Sequence, residues 1–268
     1  WNGVFGHKNT LGWMMILMSI CFQWLLVNDR ERRGQAVLGL IICLGVTSMT
    51  QSVTSFVSIG LAALLRLGLS VGRVPAQLRL WLLYGLGMLV VGGSLGMVTF
   101  WTEIMTALNR DPTLSGRVPL WSELIGLIFQ NPFLGAGYNA FWLEWNPDVQ
   151  ALWQIIGWQP PDAHNGILDL AVQLGIIGAV LGVAPMLLSI TRSVTAHLDR
   201  SLSGADFIFV FSTILLIGNL DETMLYRSGD IQCTLMVLCY LALQKWRGQT
   251  ERPSPPPRAW RPRSAGQG

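Results

Sequence analysis

Apolar positions along this chain are bunched into long runs, at residues 11–27, 34–48, 53–69, 80–101, 166–190, 205–220 and 231–244, with polar and charged residues collected between them. A helix needs about 17–25 apolar residues to cross a hydrocarbon core roughly 30 Å thick, so runs of this kind predict membrane spans with soft boundaries. The expected fold is all-α: a polytopic membrane helix bundle of about seven spans. Residues 1–101 supply spans one to four and residues 166–246 supply spans five to seven.

Between the fourth and fifth runs lies a long polar-and-aromatic segment, residues 102–165, and loops of such length are usually functional. Within it, a helix is expected from about Arg117 to Gln130, capped by Ser115 and tolerating Pro119 in its first turn. Leu120, Leu124 and Ile128 make much of that helix apolar, so it should lie on the membrane surface or pack on the bundle. "NPFLGAG" then ends it, with Pro132 and two glycines allowing a tight bend. Trp142, Trp145, Trp153 and Trp158 crowd the next stretch, as expected of rings at a membrane interface, whose indoles are apolar in body and polar at the N–H. In "PPDAHNGILDL", Pro160 and Pro161 block helix and Asp162 is a candidate cap for the helix beginning at Gly166.

Composition agrees with the pattern. The chain is 51% hydrophobic and 12% charged, far below the quarter expected of a soluble domain. Lys and Arg favour the cytoplasmic side of short loops. Placing Arg30, Arg32 and Arg33 there also puts Arg66, Arg73, Arg79, Arg192, Arg200 and the basic tail inside, leaving Lys8, Arg110, Arg117 and Arg227 outside. Segment 102–165 is then the outer loop. Residues 247–268, rich in Pro and Arg, cannot bury a core and read as a disordered cytoplasmic tail. The four cysteines sit inside apolar runs without CxxC spacing, as buried small hydrophobes rather than a disulfide or metal site. The first residue is Trp and no cleavable signal is visible, so the chain is expected to begin inside a longer protein.

The outer loop carries the candidate chemistry. His164 lies where the chain re-enters the membrane, and its imidazole can take a proton near neutral pH. A guanidinium such as Arg117 can hold a diphosphate through paired hydrogen bonds. Asp169, about one turn into the following run, is placed to orient or charge-compensate His164, an ionisable residue in a span being a functional hypothesis by default. Other chemistries find no support: there is no GxSxG, HExxH or P-loop, and "GAG" at 135–137 lacks the strand-before, helix-after context of a dinucleotide site.

Taken together, "GVFGHKNTLG", "SGRVPLWSELIGLIFQNPFLGAGYNAF", "DAHNGILDLAVQLGIIGAVLGV" and "NLDETMLYRSGD" resemble, in order and interval, the motifs of the O-antigen ligase and exopolysaccharide polymerase superfamily. The resemblance implies a GT-C-like enzyme of the bacterial inner membrane with its active site on the periplasmic side. Such an enzyme moves a glycan from an undecaprenyl diphosphate carrier to a hydroxyl of a glycan or lipid A-core acceptor, with inversion and with no metal, cofactor or nucleic acid. It implies His164 as the acceptor-activating base and Arg117 as a diphosphate ligand, with Trp121 and Asn165 of the same loop motifs among the substrate-binding residues. Relatives usually carry further spans before the "GHKN" motif. Many also carry a basic residue where "TQSVTSF" has Val53, so one diphosphate contact is missing here, for which Lys8 or Arg227 could substitute.

At the front of the chain, His7, Lys8 and Asn9 either line the outer vestibule or cap and anchor their helix among headgroups; Lys8 would bring a charge for phosphate, and Asn9 can donate and accept. Glu222 is a further outer-face candidate, toward substrate or a basic partner. The competing class is a polysaccharide or small-solute transporter, which would place ionisable or helix-breaking residues near the bilayer midplane; mid-span charges are nearly absent, which favours the enzyme.

Overall fold

The structure is a computed structural model that describes residue 3 and residues 8–70, 116–199, 201–224 and 231–250. Every element among the described residues is a helix: α1 (Lys8–Asn28), α2 (Arg33–Thr50), α3 (Val53–Ser70), α4 (Arg117–Gln130), α5 (Pro147–Ile156), α6 (Gly166–Leu198), α7 (Ala205–Gly218) and α8 (Ile231–Thr250). The apolar runs therefore became helices, apart from the predicted fourth span and the tail after residue 250, which lie outside the described residues. By length and composition α1, α2 and α6 can each cross a membrane, and α3 and α7 are apolar but shorter.

Helix α1 is central and packs against α2, α3 and α7, while α6 packs against α4, α7 and α8. Trp13, Ile16 and Ile20 of α1 share one apolar cluster with Phe211, Ile214 and Leu215 of α7. The opposite surfaces are apolar as well. Ile41 on α2 is 61% exposed and Leu181 on α6 is 67% exposed. In water such faces would be a liability; against lipid they face a solvent of their own kind. The molecule is a multi-pass helical membrane protein.

The run at 166–190 was expected to be one continuous span, and the structure corrects this. At Gly175 the backbone takes φ 69° and ψ −178°, which is not helical, so α6 is two helical pieces meeting at a break. The "NPFLGAG" bend fills that break. Ala136 N–H donates to the Val172 carbonyl (3.0 Å), Gly137 N–H to the Gln173 carbonyl (2.7 Å), and Ile176 N–H to the Pro132 carbonyl (2.7 Å). Backbone groups orphaned by the break are thus satisfied by the loop, as an apolar setting requires. A Cβ on Gly135 would lie 2.6 Å from the Gln173 carbonyl carbon, and one on Gly175 would lie 2.2 Å from the Phe133 carbonyl. Gly135 and Gly175 are there because two backbones touch.

Helix α4 docks on α6 with Leu120, Leu124 and Ile128 buried. Its N-cap is Gly116 in the left-handed region (φ 83°) with no side-chain cap bond, and Ser115 lies outside the described residues. Helix α5 is an element the hydrophobic pattern missed, although its punctuation was in the sequence: Asn146 caps it by accepting from Asp148 N–H (3.0 Å), Pro147 opens it and Gly157 closes it in the left-handed region.

Arg66, assigned to the cytoplasmic flank of its span, is buried and ion-paired with Asp206 at 2.7 Å, joining α3 to the start of α7. Trp24 of α1 donates its indole N–H to the same carboxylate (3.2 Å). Removing one partner of a buried pair leaves the other charge uncompensated, so Arg66→Ala is expected to cost about 3–5 kcal/mol of stability. Thermal unfolding of the detergent-solubilised variant checks this: an unchanged midpoint would mean that the pair contributes nothing.

Candidate active site

The helices are arranged so that α1, α3, α4 and α6 begin, and α7 ends, around one group of polar side chains. Asn9 stands in the first turn of α1, Thr54 in that of α3, and Arg117 opens α4; His164 immediately precedes the α6 cap and Glu222 follows α7. Four helix N-termini thus face one place, where the positive ends of the helix dipoles favour negative charge.

His164 is held by its backbone first. It sits in the left-handed region (φ 48°), and its N–H donates to Asp162 Oδ1 (2.9 Å). Asp162 was the expected helix cap, but that role belongs to Asn165, which is adjacent to the first helical residue and whose Oδ1 accepts from Ile167 and Leu168 N–H, both at 3.1 Å. Asn165 also donates to the Leu220 carbonyl (3.2 Å), and Gly166 N–H to the Asn219 carbonyl (2.8 Å), fastening this turn to the end of α7. Trp158 stacks on the imidazole, with centroids 6.0 Å apart and planes 24° from parallel.

The imidazole is charge-compensated by Glu222; Asp169, expected in that role, does not meet it. Asp169 is buried one turn into α6, where it accepts from Trp142 Nε1 (2.7 Å), from Ala163 N–H (3.1 Å) and from Gln173 Nε2. Its carboxylate faces the loop side of α6, so its influence on His164 runs through the neighbouring peptide. Trp121 of α4 completes the grip by donating to the Ala163 carbonyl (2.8 Å). Gln173 in turn accepts from Asn139 N–H (2.6 Å), tying the turn back to the loop that fills the Gly175 break.

The side chains then converge. Arg117 Nη2 pairs with Glu222 Oε1 at 2.7 Å, and Nη1 pairs with Asp221 Oδ1 at 2.6 Å while also donating to the Asp221 carbonyl. Glu222 Oε2 lies 3.5 Å from His164 Nδ1. Asn9 donates to Glu222 Oε1, and Thr54 Oγ1 donates to Asp221 Oδ2 (2.7 Å). Burial raises the Glu222 pKa, but the His164 contact and the Arg117 charge outweigh it and hold the carboxyl below its ordinary range. Glu222 is therefore an anion that links the guanidinium to the imidazole.

Of the remaining candidates, Lys8 is exposed at the start of α1, beside Asn9 but pointing to solvent. His7 and Arg227 lie outside the described residues. Val53 is 59% exposed and directly precedes Thr54 at the rim. Asp221 and Thr54 are site residues that sequence reasoning missed.

Residues 38–183, just over half of the chain, match the family model described as O-Antigen ligase. The chain belongs to the O-antigen ligase family. This O-antigen ligase family member is also similar to the exopolysaccharide production protein ExoQ of Rhizobium meliloti (strain 1021), at 33% identity over 81 residues. That alignment covers 29% of this chain and 19% of the relative, so the chain spans only about a fifth of that protein's length. The family is described by O-antigen ligation, and the relative by exopolysaccharide production. Arg117 and His164 fall inside the matched region; Asn9, Asp221 and Glu222 fall outside it.

Proposed function

We propose that this protein catalyses inverting glycan transfer from an undecaprenyl diphosphate carrier to a sugar hydroxyl, on the periplasmic face of the inner membrane. The observation that carries the reading is Glu222 bonded at once to Arg117 and His164, which joins a phosphate-binding group to a base in one constellation. The segment between spans four and five is then the periplasmic loop, and the side of the bundle carrying Asn9, Thr54 and His164 is the outer side.

In this mechanism the imidazole turns Nδ1–H toward Glu222, so that Nε2 is left to accept a proton. The acceptor hydroxyl gives its proton to Nε2 as its oxygen bonds to the anomeric carbon, and the bond from that carbon to the diphosphate oxygen breaks. The electron pair leaves with the carrier diphosphate, and Arg117 balances its charge. Three of the five guanidinium N–H groups bond Asp221 and Glu222, leaving two toward a ligand. Glu222 stabilises the imidazolium that forms. Trp158 stacked on the ring, together with the Asp162 and Asn165 backbone clamps, keeps the imidazole from wandering, and such positioning is a large part of catalysis.

Deleting the gene and examining the polysaccharide by gel tests this function. A ladder collapsed to single repeats assigns polymerase activity, whereas carrier-bound polymer accumulating beside bare acceptor assigns ligase activity. An unchanged glycan profile would overturn the proposal.

A further inference from the structure

The constellation around Arg117 presents a charge problem to any anionic donor. Among the described residues in contact there, Asp162, Asp221 and Glu222 are acidic and only Arg117 is permanently cationic. A diphosphate entering with two or more negative charges would meet a site already over-supplied with carboxylates. The two carboxylates on the guanidinium are not equivalent. Glu222 has an 11% exposed side chain and is enclosed by Asn9, His164 and Arg117. Asp221 has a 36% exposed side chain, sits at the rim, and has a second anchor in Thr54 on α3.

Building on the reading of Arg117 as the diphosphate ligand, we propose that Asp221 is the resident counter-ion of Arg117, exchanged for the donor's diphosphate, and thereby sets donor affinity. In the empty site it shares the guanidinium with Glu222, holding Nη1 while Glu222 holds Nη2. When the donor arrives, one anion replaces another on Nη1, while the Thr54 hydroxyl retains Asp221 at the mouth. Glu222 keeps its place between Arg117 and His164, so the base stays oriented through the exchange. The donor thus binds against a competitor built into the chain, which limits affinity for carrier diphosphate and helps the spent carrier to leave. Asp221 acts here as a specificity-determining residue through Arg117, not as a catalytic one.

The test uses the full-length protein in membranes, with inorganic diphosphate as the probe inhibitor of glycan transfer. Asp221→Asn removes the charge but keeps the size and an acceptor for Arg117. Removing a like charge beside the incoming anion is expected to strengthen inhibition by about tenfold and to lower the donor KM in the same direction. Asp221→Ser should act likewise, so a folding failure of one variant leaves the other to decide. Equal or weaker inhibition in the variants, or failure of both to assemble, overturns the counter-ion assignment and makes Asp221 a scaffold residue. Absence of inhibition in wild type and variants alike would instead sink the Arg117 diphosphate reading on which the proposal rests.

Discussion

His164→Ala is expected to lower glycan transfer by roughly 100- to 10,000-fold, the usual contribution of a positioned general base, while the protein still inserts and accumulates normally. The variant removes a side chain whose ring contacts are Trp158, Asp162 and Glu222 at the edge of the bundle, so little packing is lost. The backbone fastening of this turn is independent of the imidazole: Asp162 and Asn165 bond main-chain N–H groups, and Asp169 holds Ala163. His164→Gln should fall as far, because an amide retains hydrogen bonding but takes no proton. The check is transfer of a lipid-linked donor in membranes containing equal amounts of each protein. Activity within a few-fold of wild type would show that another group accepts the proton.

The second large effect is structural. Gly175→Ala should destabilise the protein by about 3 kcal/mol or more, summing a backbone conformation nearly restricted to glycine with a steric overlap that cannot be relieved cheaply. The new methyl would meet the backbone of Phe133, not the end of a flexible side chain. Relief would require expelling the "NPFLGAG" bend, which would strip the Val172 and Gln173 carbonyls of their donors and loosen Gln173 from Asn139. The loss then reaches Asp169 and the His164 turn, so activity should fall together with stability. Gly45→Ala is the control, since nothing lies within 4 Å of its added methyl and alanine favours helix. Thermal unfolding in detergent distinguishes them; equal midpoints for the two variants would dismiss the interlock.

These outcomes mark what can be read from a sequence of this kind. The helices of the bundle were legible because lipid imposes long apolar runs, and α1, α2 and α3 follow those runs to within a few residues. Arg117 and His164 were legible because each stands at a helix start within a dense polar motif. Asn9 and Lys8 differ by one position, but successive residues on a helix point about 100° apart, and only Asn9 faces the site. Nothing local in "LDET" says whether Asp221 or Glu222 reaches His164, and nothing in "TQSVTSF" says that Thr54 meets a carboxylate more than 160 residues away. Such pairings are settled by how five helix ends come together. Asp169 was singled out for its charge, yet besides Gln173 its partners are N–H groups of the loop, which the linear spacing could not display.

The division between the family-matched stretch and its surroundings carries an evolutionary consequence. A recombination event that swapped residues 38–183 between two relatives would import a guanidinium and an imidazole but inherit their shared anion, and the amide that steadies it, from the recipient. Such chimaeras would work only where both parents place that carboxylate alike, so the heritable module is the set of helix ends that meet at the site rather than the loop that carries its most recognisable letters.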